Sequence, residues 1–233
     1  MSVSAGLRSE ARAALGDYRF LVERGYPSRP SIDLVGNRYR LTREERNMLF
    51  RGVVSRTRGR ARRERLISAE KIRHGETRLR VDGYNVLYTV LSYLRGVPVF
   101  VCTDGVLRDV SAAHGRRPPS DKLRRAVELM TAALGALEPQ SVTILLDSQL
   151  GPNRELVALL QQLLAERAVA GELHSTASVD AELIDSRAPA VVAGSDSVVL
   201  DRVTVPVFDL ARFALEQAFQ PRWLDLEAET PET

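Results

Sequence analysis

From residue 77 onward, short apolar runs alternate with helix-patterned stretches, and several of the runs stop at an aspartate. This alternation limits the possible folds more than any other feature, because strands joined through helices assemble into a parallel sheet faced by helices. Residues 77–81 read as a short strand ending at Asp82-Gly83. Residues 141–146 form a continuous apolar strand that stops at Asp147, and 189–193 form one that runs into Gly194-Ser195-Asp196. Runs such as VTILL and AVVAG suit strands buried on both faces. Helical spacing places helices at about 121–137 (Leu123, Val127, Met130 and Leu134 on one face, Ser120 as cap), 153–168, 179–186 and 210–219. Residues 173–176 and 204–208 add strands. Residues 97–102 and 106–110 flank Asp104-Gly105, a type I′ hairpin signal. The expected fold class is therefore α/β: a doubly wound, mostly parallel sheet with an inserted β-hairpin, spanning 77–220. Residues 221–233 form a C-terminal tail, which is acidic and Pro-containing from Asp225 and is expected to fray from there.

Residues 1–76 have a different texture. Leu7, Ala11, Ala14, Leu15 and Tyr18 recur at helical spacing, and Gly25, Pro27 and Pro30 end that helix. The segment 31–40 reads as a short connection with Gly36-Asn37 as a turn. Thr42 followed by Glu45 is a capping box for a second helix that buries Met48, Leu49 and Val53. Then comes RTRGRARRER at 56–65, where six of ten residues are arginine. Residues 1–80 hold 20 Arg or Lys against 9 Asp or Glu, and residues 81–233 hold 13 against 21. A basic half beside an acidic half points to nucleic-acid contact by the former. The Arg run reads either as a solvated linker, as a phosphate clamp through Arg58, Arg60, Arg62 and Arg63, or as a segment docking a partner. Arg116-Arg117 would add to a basic rim.

Several classes are excluded or disfavoured. One cysteine, Cys102, rules out a disulfide framework and a cysteine-based zinc site. No apolar stretch reaches the length of about 20 residues that a bilayer requires, so no membrane partner is expected. The opening MSVSAGLRSEARAALG has no apolar core of a signal peptide, and a cytoplasmic location is expected. His74, His114 and His174 are scattered without metal-ligand spacing, and no G-x-S-x-G, G-x-G-x-x-G or Walker pattern occurs.

Ligands of open parallel α/β sheets bind beyond the carboxyl ends of the strands. Asp82, Asp147 and Asp196 stand at or within two or three residues of such ends, and Asp180 opens the short helix before the last of these strands. Strand order is not legible in a sequence; if these strands are neighbours, the carboxylates converge. Crowded carboxylates repel, and a hard divalent cation, Mg²⁺ or Mn²⁺, relieves the repulsion. Such an ion activates water for phosphodiester hydrolysis. Taken singly, each Asp is equally well a helix cap or turn former.

The stretch VDGYNVL at 81–87 resembles the opening of PIN-like and NYN nuclease domains, where a strand ends in Asp and an Asn follows three residues later. VDAELID at 179–185 followed by VVAGSDS at 191–197 resembles the second half of that signature. The resemblance covers 77–220. The whole chain also resembles a prokaryotic family with a basic helical module ahead of such a domain and no assigned substrate, on GNRYRLT at 36–42 and on Asp104-Gly105 with Arg108-Asp109. The resemblance implies Asp82, Asp180 and Asp196 as metal ligands. It implies Asn85 as the group that orients Asp82 or meets phosphate, and Asp147 as a further catalytic carboxylate. The acidic residue that many PIN nucleases carry in the helix after the first strand has no counterpart in 85–96. The implied function is an Mg²⁺- or Mn²⁺-dependent endoribonuclease, with RNA favoured as partner and a homodimer compatible. The alternatives are a PIN-like RNA-binding module that does not cut, a small-nucleotide phosphohydrolase, and an interaction protein.

Other residues are assigned simpler roles. Ser195 either meets phosphate or caps the turn after it. Asp104 and Gly105 are read as the hairpin turn, with Arg108 and Asp109 at its end. Asp201 is read as a surface residue, Cys102 as core, and Tyr84 and Tyr88 as helix-packing aromatics or base-stacking groups.

Overall fold

The computed structural model describes residues 6–73, 76–111, 120–150 and 154–231. His74, His114, Arg116-Arg117, the cap role of the Ser120 side chain and the expected helix start at Asn153 lie outside what is described. Among the described residues, no helix is long and apolar enough to cross a membrane. Contacts divide the chain into two units: 1–64 with 95–116 and 221–233, and 65–94 with 117–220.

The first unit begins with α1 (Ser9–Glu23), α2 (Ser28–Arg38), α3 (Arg43–Gly52) and α4 (Arg56–Arg65). The segment expected as a connection is thus a helix. Pro30 falls in the first turn of α2, where no intrahelical donor is required, and Ile32 and Val35 on its inner face are buried. Thr42 and Glu45 do form the capping box of α3. The Arg run is also a helix rather than a linker, because Gly59 and Arg62 bury one stripe of α4. A side chain at Gly59 would come within 3.2 Å of the Thr103 carbonyl.

α5 (Ala69–Arg73), β1 (Arg78–Asp82) and α6 (Gly83–Leu94) open the second unit. β2 (Val99–Val101) and β3 (Leu107–Asp109) then form the expected hairpin. It joins the N-terminal helices instead of the parallel sheet. Its connection is not type I′. That turn needs positive φ at both central residues, whereas here only Gly105 has positive φ (84°), and Cys102 N–H bonds the Val106 carbonyl at 3.0 Å across a three-residue loop.

α7 (Ser120–Leu137), β4 (Ser141–Asp147), α8 (Arg154–Glu166), β5 (Gly171–Thr176), α9 (Val179–Ile184), β6 (Ala190–Ala193), α10 (Ser197–Arg202), β7 (Val207–Phe208) and α11 (Leu210–Phe219) complete the α/β unit. The five strands lie in the order β5-β4-β1-β6-β7 and are all parallel. Ile144, Leu145 and Leu146 are buried along β4 and Ala190–Ala193 is buried throughout, as the apolar runs require. The order reverses between β1 and β6. In doubly wound sheets that crevice is where ligands bind.

The described part of the tail, to residue 231, is held in place. β8 (Leu224–Asp225) pairs in parallel with β2. Leu226 is fully buried, and Glu227 and Glu229 reach Arg19 and Arg12 on α1. Apolar spacing over two residues carries no strand signal; a partner strand and a buried leucine make this one.

Candidate metal centre at the sheet edge

β1 delivers Asp82 to the crevice between β1 and β6. Two glycines make that position possible. A Cβ at Gly83 would fall 2.7 Å from Leu146, 2.8 Å from Ile144 and 2.9 Å from the Leu145 carbonyl. A Cβ at Gly194 would sit 3.1 Å from the Asp82 Cβ. Gly83→Ala is expected to cost about 1–3 kcal/mol by overpacking. Urea unfolding checks this, and an unchanged midpoint would show that β4 yields freely.

Asp82 is buried, and its Oδ1 accepts the Asn85 backbone N–H at 3.1 Å. The Asn85 side-chain oxygen in turn accepts the Ser195 backbone N–H at 2.8 Å and the Ser195 hydroxyl at 2.9 Å. The end of β6 is thereby stitched to the first turn of α6. Asn85 therefore orients Asp82 through its main chain. Ser195 is buried, and its hydroxyl donates to the Asn85 side-chain oxygen. Asp196 caps α10, its Oδ1 accepting Val198 N–H at 2.7 Å and Val199 N–H at 3.2 Å. Asp147 accepts the Gln149 N–H at 2.8 Å. Asp82 is in register with Leu145, so Asp147, two residues on, shares its face of the sheet.

The four carboxylates feel one another. Burial first, then the charges of Asp196, Asp180 and Asp147, push the Asp82 carboxyl up to about 7, against the lowering effect of the Asn85 N–H. Burial, with Asp196 and Asp147, also raises Asp180. Yet among the described residues no three acidic, His or Cys side chains are drawn together tightly enough to form a ligand set. The donors are all carboxylate oxygens, which fits Mg²⁺ or Mn²⁺ and not zinc. An ion here would be shared with water, which Mg²⁺ retains readily.

Sequence reasoning passed over the anchor of α9. Glu182 meets Arg80 of β1 at 3.5 Å and His174 of β5 at 3.4 Å. With Leu183 as the buried residue of α9, this pairing holds the helix that carries Asp180. The only local hint was an acid two residues after Asp180. Tyr84 and Tyr88 stack on each other, ring centroids 5.8 Å apart. Asp201 is exposed on α10.

The arginines expected to clamp phosphate divide. Arg62 is 2% exposed and its Nη1 lies 2.6 Å from Asp104, so it cannot meet a ligand from solvent. Arg63 donates to the Thr103 carbonyl. Arg60 pairs with Glu64 in solvent, and Arg58 is exposed. Asp104 is correspondingly far more than a turn former. It is fully buried between Arg62 and Arg108, which is 4% exposed. Asp109, also buried, accepts from Ser111. Burial pushes the Cys102 thiol up to about 12, which suits a core residue and no nucleophile.

A profile described as Domain of unknown function (DUF5616) matches residues 71–213, more than half of the chain. The chain belongs to the DUF5616 family. A second profile, Protein of unknown function (DUF434), matches residues 11–65. The uncharacterized protein MJ0935 of Methanocaldococcus jannaschii is 27% identical over 201 residues, covering 86% of this chain and 94% of that one. No solved structure matches the chain. All four aspartates fall in the DUF5616 segment, and the Arg-rich helix closes the segment similar to DUF434.

Proposed function

We propose that this chain is a PIN-like, Mg²⁺- or Mn²⁺-dependent endoribonuclease. One observation carries the reading: Asp82, Asp147, Asp180 and Asp196, drawn from four separate elements, repel one another at the carboxyl edge of a parallel sheet, beside its switch point. Such an arrangement is unfavourable for the free protein, and a cation removes the penalty. Asp82, Asp180 and Asp196 would hold that cation, which when bound lowers the pKa of water and offsets charge on phosphate. Asp147, on the Asp82 face, would orient the attacking water, take its proton and pass it to the leaving oxygen. The water oxygen bonds phosphorus as the ester P–O bond breaks, giving a phosphomonoester and a hydroxyl with no covalent enzyme intermediate. The Asn85–Ser195 pair keeps Asp82 in place throughout. RNA is preferred over DNA on the PIN-like resemblance.

The lack of an acid in residues 85–94, and of a tight ligand set among the described residues, favours, as a second reading, an RNA-binding module that does not cut. Labelled RNA incubated with Mn²⁺ separates the two. Wild type is expected to cleave, and Asp82→Asn to cleave on the order of 10²–10³-fold more slowly, with affinity in EDTA unchanged. Intact RNA with wild type at every Mn²⁺ and Mg²⁺ concentration supports the second reading. Release of phosphate from p-nitrophenyl phosphate with intact RNA would point to a small-nucleotide phosphohydrolase.

A further inference from the structure

The charge is divided unequally between the two units. The unit containing the N-terminal helices has 19 basic and 13 acidic residues, and the α/β unit has 14 basic and 17 acidic. An α/β unit with a negative excess and four carboxylates in its crevice repels a polyanion, so electrostatic attraction for RNA has to come from the other unit. The Arg-rich helix supplies less of it than its sequence suggests, since Arg62 is buried and Arg63 is bound to a carbonyl.

Another face of that unit carries the features a single strand needs. α1 and α2 leave a groove of about 330 Å³, lined by Phe20, Leu21, Leu34 and Val35 with Asp17 and Arg38. Phe20 is 54% exposed and Leu34 64%, an arrangement that no apolar core demands. The Arg24 guanidinium lies over the Phe20 ring at 4.2 Å, and Arg38 lies beside Tyr39 at 5.5 Å. Asp17 is already engaged by the Tyr39 hydroxyl at 2.7 Å and by Arg38 at 3.7 Å, which blunts its charge. Exposed aromatic and guanidinium planes stack on bases, while arginines neutralise the linking phosphates.

We propose that the α1–α2 groove binds single-stranded RNA, one base stacking on Phe20 and Arg24 and the adjoining phosphate meeting Arg38. The choice of RNA rests on the nuclease reading; the groove and its chemistry do not. The full chain is titrated in EDTA against a fluorescein-labelled oligouridine of about 12 nucleotides, within the usual site sizes, and binding is read by anisotropy. Phe20→Ala is expected to weaken binding roughly 5- to 100-fold, and Arg38→Gln to reduce the slope of log K against log salt by about 0.7. Because both side chains reach solvent, unchanged thermal melting confirms that each variant is folded. Wild-type affinity and salt slope in both variants would overturn the proposal while leaving the nuclease reading intact. So would RNA binding that is unchanged while Phe20→Ala turns a dimer into a monomer in light scattering, which would make the groove a self-interface. Loss of binding in the variants, in a protein that never cleaves, keeps the groove and removes the nuclease.

Discussion

Asp104→Asn is expected to cost about 3–5 kcal/mol, the range for removing one partner of a buried charge cluster. Asp104 receives Arg62 at 2.6 Å, Arg108 at 2.9 and 3.1 Å, and the Val106 N–H at 3.3 Å, with its side chain wholly out of solvent. Asparagine keeps the shape and one oxygen, but turns an amide toward one guanidinium and takes from two buried cations the carboxylate they share. Total stability of a domain is about 5–15 kcal/mol, so the unit that contains α1–α4 is expected to lose a substantial share of its margin. Burial raises the Asp104 carboxyl, while Arg108 and Arg62 lower it by more, so it lies below its ordinary value. Its stabilisation is therefore present above the unfolded carboxylate range and lost as pH falls through the lowered folded value. Urea unfolding followed by circular dichroism at pH 7 and pH 3 measures both effects. A loss below about 1 kcal/mol at pH 7, the worth of a surface pair, would mean that the cluster is open to water. Replacing all three residues by apolar ones of similar volume is expected to be far milder than the single change.

Asp82→Asn is expected to act in the opposite direction and to stabilise the metal-free protein at pH 8 by roughly 2–4 kcal/mol, at 1.36 kcal/mol per pKa unit. The folded carboxyl titrates at about 7, well above its unfolded value, so folded protein binds the proton more tightly. Wild-type stability consequently declines as pH rises from about 4 to about 7, and the full penalty stands above that window. The gain from asparagine should thus vanish near pH 4. Millimolar Mg²⁺ or Mn²⁺ should reverse the ranking, raising the melting temperature of wild type and leaving the variant where it was. If asparagine destabilises at pH 8, or the cation raises both proteins equally, the crowding of carboxylates at β1 and β6 is not what the fold tolerates for the sake of an ion.

Both expectations come from groups whose meaning changed between chain and fold. Asp82, Asp147, Asp180 and Asp196 were legible as candidates because each follows or precedes a short apolar strand, and strand ends are local features. Their arrangement was not, since strand order depends on which crossovers pack. The same distinction separates Arg60 from Arg62. In the sequence both are members of one basic run; in the fold one meets solvent and the other a carboxylate 42 residues away.

Local pattern sufficed wherever short-range physics decides. The capping box of α3, the apolar stripe of α7 and the buried β4 run all follow from periodicity and capping alone. It failed where a distant partner decides. β8 is a strand because β2 offers an edge and Leu226 a place to bury, and α2 continues past Gly36-Asn37 because Ile32 and Val35 are covered. The sequence by itself determined the alternation of strands and helices, the α/β class, three acids at strand ends and a fourth at the start of a helix. Only tertiary structure decided that Asp82 is buried within reach of the charges of the other three, that Asp104 anchors two arginines and that Leu226 is held. Charge repulsion, desolvation and strand pairing act through distances in space, which a linear order of residues does not contain.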